Sequence, residues 1–152
     1  MIYKTNSFEE TIELGKKLAD NFEAGDIILL EGELGTGKTA LTKGIAKFFN
    51  IKKEITSPTF ALMNIYEIKN STKGGSVSVG NQEIKNLIHI DTYRLKNENE
   101  LIMIGAEDYI GDSETVSIIE WPEKIKNFLK DKKTKKIKIE HLGENERKIE
   151  MI

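Results

Sequence analysis

Eight consecutive residues, Gly32-Glu-Leu-Gly-Thr-Gly-Lys-Thr39, constrain this chain more than anything else in it. Glycines at 32, 35 and 37 carry no Cβ, so successive backbone N–H groups can converge on a single anion. Lys38 to Phe49 are helix formers with apolar side chains at Leu41, Ile45, Ala46 and Phe49, so a helix presents its positive end to the same anion. On the other side, Ile27 to Glu31 is a short, almost wholly apolar run, as expected of a strand buried on both faces. Strand, glycine loop and helix in that order make a phosphate-binding loop. Lys38 is placed to reach the β- and γ-phosphates of a nucleotide and the Thr39 hydroxyl to ligate magnesium. Leu34, Gly35, Thr36, Gly37, Lys38, Thr39 and Ala40 are the candidate nucleotide-binding residues of the loop.

The rest of the chain supplies partners for that unit. Met1 to Lys4 reads as a short strand; Ser7 and Glu10 form a capping box opening a helix with Phe8, Ile12, Leu18 and Phe22 roughly on one side. Phe60 to Ile68, Leu87 to Asp91 and Val116 to Glu120 read as strands, and Glu98 to Ile110 as a helix. Pro122 starts a short helix to Leu129; Lys135 to His141 and Arg147 to Ile152 alternate as a hairpin around Gly143. The expected fold is α/β: three layers, P-loop NTPase-like, with a mixed, mainly parallel central sheet and antiparallel hairpins. At 152 residues a single domain over 1–152 is expected, with the polar, glycine-containing stretch 70–86 as a flexible hairpin loop.

Composition removes several function classes. Without cysteine there is no disulfide, thiolate zinc site or cysteine nucleophile. A net charge of −2 with 32% charged residues argues neither for nucleic acid nor for a membrane surface. The longest apolar run near the start, Ile27 to Leu30, is far short of a membrane span, and no basic-then-apolar export signal precedes it, so a cytosolic protein is expected.

Hydrolysis requires acids near the metal and the attacking water. Asp91 ends Leu87-Ile-His-Ile-Asp91 and Glu120 ends Val116-Ser-Ile-Ile-Glu120, and ligands of α/β sheets sit at the carboxyl ends of strands. A lone acid there is as readily a helix cap, but two beside a phosphate loop favour chemistry. Glu120 is expected to hold magnesium or orient the attacking water, with Asp91 shaping the metal's surroundings, so Thr39, Glu120 and Asp91 are the metal-site candidates. In Ser57-Pro58-Thr59, Thr59 is a candidate γ-phosphate sensor; the alternative is a proline turn entering a strand. Lys38, Glu120, Asp91 and Thr59 are the catalytic candidates. Trp121 either fills the core or stacks near the nucleotide or a partner. His89 and His141 lack metal-ligand spacing and are expected to be structural. Six lysines between Lys130 and Lys138 suit a solvated approach to the last hairpin, or a contact with RNA or an acidic protein face. Arg94 and Arg147 are the only arginines among 23 basic residues, so slow hydrolysis without a partner is expected.

Gly32-Glu-Leu-Gly-Thr-Gly-Lys-Thr39, Ser57-Pro-Thr-Phe60, His89-Ile-Asp-Thr-Tyr-Arg-Leu95, Gly105-Ala-Glu-Asp-Tyr109 and Ile119-Glu-Trp-Pro-Glu123, in that order, resemble the bacterial TsaE (YjeE) family over nearly the whole chain. The resemblance implies an ATPase, using magnesium with ATP or ADP, needed to make threonylcarbamoyladenosine in tRNA. It implies partners too: the TsaD–TsaB complex, reset by ATP hydrolysis, with tRNA reached only through that complex. Residue by residue, it points to Lys38 and Thr39 for phosphate and magnesium, Glu120 for magnesium and catalysis, and Asp91 and Thr59 beside the γ-phosphate. It places Trp121 near the nucleotide or partner, and makes Ser7, Phe8 and Arg147 further nucleotide-binding candidates. The alternatives are a small-molecule kinase, for which two arginines make a poor lid, and a nucleotide-dependent binding module. A GTPase is disfavoured because no Asn-Lys-x-Asp segment is present.

Overall fold

The apolar runs pair into one sheet in the computed structural model, which describes residues 1–58, 62–69, 78–79 and 82–152. The elements are β1 (Ile2–Thr5), α1 (Phe8–Ala19), β2 (Ile27–Glu31), α2 (Lys38–Phe48), β3 (Met63–Glu67), β4 (Ser78–Val79), β5 (Gln82–Glu83), β6 (Asn86–Asp91), α3 (Asn99–Met103), β7 (Thr115–Glu120), α4 (Lys126–Leu129), β8 (Lys135–His141) and β9 (Arg147–Met151). Among the described residues, seven strands form a sheet in the order β1-β9-β8-β2-β7-β6-β3. Its centre, β8-β2-β7-β6, is parallel, while β9 and β1 on one side and β3 on the other run antiparallel. β4 and β5 pair with each other inside the segment expected to be a hairpin loop; residues 70–77 and 80–81 of that segment lie outside the described residues.

Three elements differ from expectation. The strand expected from Phe60 begins at Met63, and Phe60 itself lies outside the described residues. The helix expected over Glu98 to Ile110 ends at Met103, because Gly105 takes a left-handed φ of 73° just beyond it and a 3₁₀ turn over Ala106–Asp108 follows. Pro122 opens a 3₁₀ turn that hands over to α4 at Lys126. At α1 the Ser7 hydroxyl accepts from the Glu10 N–H at 3.0 Å, whereas the Glu10 carboxylate reaches the Asn6 N–H at 2.7 Å, one residue before the cap.

Alternation along the central strands explains the three layers. Ile28, Leu30, Leu87, Val116 and Ile118 face α1 and α2, and Ile27, Leu29, Ile88, Ile90 and Ile119 face α3, α4 and the turns beside them. α1 and α2 cross so closely that a Cβ on Gly44 would lie 2.0 Å from the Ile12 carbonyl oxygen, and one on Gly15 2.3 Å from that of Leu41. Alanine in a helix interior normally gains about 1 kcal/mol over glycine, but overpacking costs about 1–3 kcal/mol, occasionally more. At 2.0 Å the clash wins. Gly44→Ala is expected to lower stability by about 2 kcal/mol or more, read as a lower urea midpoint at unchanged slope. An unchanged or higher midpoint would show that the helices part freely.

Parallel register then aligns the strand tips. Leu30 and Asp91 both pair with Glu120, so both acids stand at one height beside the strand that feeds the glycine loop.

Candidate active site

The loop after β2 opens into α2 through Gly37, whose φ of 107° belongs to the left-handed region. A Cβ there would lie 2.9 Å from the Arg147 Nε, so this position requires glycine on both conformational and steric grounds. The loop forms one wall of a cleft of about 460 Å³. Phe8, Leu34, Gly35, Gly37, Lys38, Thr39, Ala40, Asp91, Glu120, Trp121 and Arg147 all line it. Of the remaining candidates, Thr36 is buried behind the loop, its hydroxyl donating to the Glu33 carbonyl at 2.8 Å. Ser7 caps α1 outside the lining. Thr59 lies outside the described residues; its neighbours Ser57 and Pro58 line the cleft.

Lys38 is almost wholly buried, and its ammonium donates to the carbonyl oxygens of Gly32 at 2.6 Å and Glu33 at 2.8 Å. The Trp121 ring lies beneath it at 4.4 Å, a cation–π contact. Burial pushes the Lys38 amine below its ordinary pKa, although Glu120, Asp91 and Glu123 pull it back up. Asp91 is displaced the other way: burial raises its carboxyl, as does the Glu120 charge, against the Tyr93 N–H at 2.9 Å and the Lys38 charge. Both charges are under-solvated. A ligand bringing anionic oxygens to the lysine and a cation to the carboxylates relieves both penalties at once.

Glu120, 3% exposed, bonds through Oε1 to the Nε2 of fully buried His89 at 2.8 Å. His89, expected to be structural, is thus hydrogen-bonded to one of the two strand-tip acids. The two-residue strand period puts His89 on the same face as Asp91, and the sheet register brings that face to Glu120. The Thr39 hydroxyl lies 3.0 Å from that of Ser57, linking α2 to the segment before β3. Arg147 bridges the glycine loop and its own hairpin turn, its Nε donating to the Thr36 carbonyl at 3.0 Å and its Nη1 to that of Asn145 at 2.9 Å. Both arginines line the cleft, so scarcity in the chain is not scarcity at the site. Three of the six lysines of the run are paired locally: Lys135, Lys136 and Lys138 with Asp26, Glu31 and Glu140.

Sequence reasoning missed Thr92, Tyr93 and Ser57 as well as His89. Trp121 adopts φ 59° and ψ 48°, a left-handed conformation costing about 1–2 kcal/mol in a residue with a Cβ. The buried Thr92 hydroxyl holds it there, donating to the carbonyls of Glu120 at 3.0 Å and Trp121 at 2.6 Å. Tyr93 leans on the Trp121 ring with centroids 4.9 Å apart. Thr92→Val keeps the shape and removes the donor, so stability is expected to fall by about 1–3 kcal/mol, with Trp121 emission shifting as its ring loosens. Urea titration followed by tryptophan fluorescence reads both; unchanged midpoint and emission would reject the clamp.

Among the described residues no three of histidine, aspartate or glutamate cluster as a metal cage, and no helix is long and apolar enough to cross a membrane. The oxygen donors Thr39, Asp91 and Glu120 do share the cleft, the donor type that magnesium prefers when phosphates complete its shell.

A family model described as "Threonylcarbamoyl adenosine biosynthesis protein TsaE" matches residues 5–149. A Bacillus subtilis protein named tRNA threonylcarbamoyladenosine biosynthesis protein TsaE is 32% identical over 147 residues, 97% of this chain and 82% of that one. A Rickettsia conorii protein of the same name is 36% identical over 129 residues, 84% of this chain; the chain spans 65% of that relative's length. The crystal structure of Bacillus subtilis YdiB superimposes with a TM-score of 0.74 at 28% identity, covering 99% of this chain and 83% of that one.

Proposed function

This chain belongs to the TsaE family, and from that premise we propose that it is an ATPase subunit of tRNA threonylcarbamoyladenosine biosynthesis. It binds Mg·ATP in the cleft, docks on the TsaD–TsaB complex, and uses hydrolysis to reset that complex. Residues 1–152 act as one domain, a reading supported by the sheet that joins the first and last strands. The observation that carries the proposal is the convergence of Lys38, Thr39, Asp91, Glu120 and Trp121 on one cleft beside a helix N-terminus.

The residues divide the work. Loop N–H groups and the α2 N-terminus cradle the phosphates, and Lys38 exchanges its two carbonyl partners for β- and γ-phosphate oxygens. Thr39, with Glu120 and Asp91, would hold magnesium; when bound, the ion neutralises charge on the β- and γ-oxygens. Glu120 orients the attacking water. Water oxygen bonds to the γ-phosphorus as the bond to the β–γ bridging oxygen breaks, giving ADP and phosphate, the water's protons leaving with the phosphate and into solvent. Trp121 and Phe8 wall the cleft against solvent. Arg147 is committed to backbone carbonyls and Arg94 is exposed at the cleft rim, which fits slow turnover until a partner binds.

Reconstituting tRNA modification from purified components with and without this chain tests the proposal. Multiple turnover that requires the chain, with ATP consumed, is expected. Sustained modification in its absence would reject the role; ATP consumed in proportion to a small acceptor would indicate a kinase, and a requirement without ATP consumption a binding module.

A further inference from the structure

His89 is a fully buried titratable side chain beside the cleft that the scheme above does not use. Its Nε2 lies 2.8 Å from Glu120 Oε1, and its Nδ1 is a buried ring nitrogen with no hydrogen-bond partner among the described residues. That asymmetry fixes the proton. An ionised carboxylate only accepts, so Nε2 must carry the hydrogen. A hydrogen on Nδ1 as well, or a proton moved to the carboxyl with Nδ1–H left behind, would bury a donor with nothing to accept it. Buried orphan donors are rare and costly. The Nε2–H tautomer leaves only a lone pair at Nδ1 and is the arrangement the surroundings permit.

We propose that His89 is a positioning residue for Glu120: locked as the Nε2–H tautomer, it holds one carboxylate oxygen and so aims the other toward the cleft. The argument rests on Glu120 acting in the site as set out above. Glu120 projects from a strand tip, and its neighbours Ile118 and Leu30 on the same face are apolar. His89 supplies a side-chain donor that keeps the carboxylate from turning away. Outer partners of this kind typically set activity by about 10- to 100-fold.

The experiment uses the full chain with its partner complex and compares wild type, His89→Leu and His89→Gln. Glutamine places an amide N–H where Nε2 was; leucine places none. His89→Leu is expected to lower kcat about 10- to 100-fold with KM for ATP and Mg·ADP affinity little changed. His89→Gln is expected to recover most of that loss. Equal kcat in His89→Leu and wild type, or a glutamine variant as slow as the leucine one, would overturn the proposal while leaving the ATPase reading intact. A wild-type chain without hydrolysis would overturn both. Long-range ¹⁵N–¹H NMR of the unliganded wild-type chain decides independently of activity and of how the variants fold. A single Nε2–H tautomer is expected for His89, and an Nδ1–H form or a mixture would overturn the assignment.

Discussion

Lys38→Ala is expected to abolish measurable ATP hydrolysis and to weaken Mg·ADP binding. The ammonium is held at the cleft by the carbonyls of Gly32 and Glu33 and the face of Trp121, so it stands beside the loop before it exchanges those carbonyls for phosphate oxygens. A single preorganised donor aimed at developing charge is worth about 10²–10³ in kcat. Here the donor is also a full charge, and its removal takes one positive charge from a cleft where the Glu120 and Asp91 carboxylates already stand. The loss in kcat/KM is expected at or beyond the upper end of that range. Lys38→Arg is expected to rescue little, because a planar guanidinium does not fit a niche shaped by two carbonyls and a ring around one ammonium. Steady-state phosphate release with the partner complex present measures both variants. Retention of even a tenth of wild-type turnover by Lys38→Ala would remove the lysine from the mechanism.

Glu120→Gln is expected to separate binding from chemistry. Glutamine has nearly the same shape, and its carbonyl oxygen can still accept from His89, so the cleft should keep its form. The change removes the negative charge that orients water and supports the cation. Proton-transfer and water-orienting groups contribute about 10²–10⁴. A fall of that size in single-turnover hydrolysis is expected, with Mg·ADP affinity within about tenfold of wild type because the loop and Lys38 carry most phosphate contacts. Binding lost together with hydrolysis would instead make Glu120 a structural support of the cleft. Hydrolysis at the wild-type rate would assign the chemistry to another group, with Asp91 the first to test.

What was legible in the sequence follows from which forces act locally. The apolar run Ile27 to Leu30, the glycine loop and the helix after it are specified by near neighbours, and all three lie where expected. The strand-tip acids were legible for the same reason, since an acidic residue closing an apolar run marks the carboxyl end of a strand. His89 was not legible, because its meaning depends on a carboxylate 31 residues away, brought to it by parallel pairing of β6 and β7. An alternation test along Leu87-Ile-His-Ile-Asp91 carried the hint: the histidine shares a face with the acid two residues on. Thr92 was hidden likewise, its role being to hold Trp121 in a backbone conformation that the order Glu-Trp-Pro does not announce. The break at Gly105 was available locally, since a glycine inside an apolar helical pattern often ends the helix. Where the two arginines stand was not legible, because composition counts residues and says nothing of their place; both line the cleft.

The central claim is that the cleft beside Lys38 captures a nucleotide's terminal phosphates. Isothermal titration of the wild-type chain and Lys38→Ala with Mg·ADP tests it most directly. The account predicts saturable one-site heat in the wild type that is lost or greatly weakened in the variant, whose circular dichroism remains that of the folded chain. No heat in the wild type, or equal affinity in the two proteins, would contradict it.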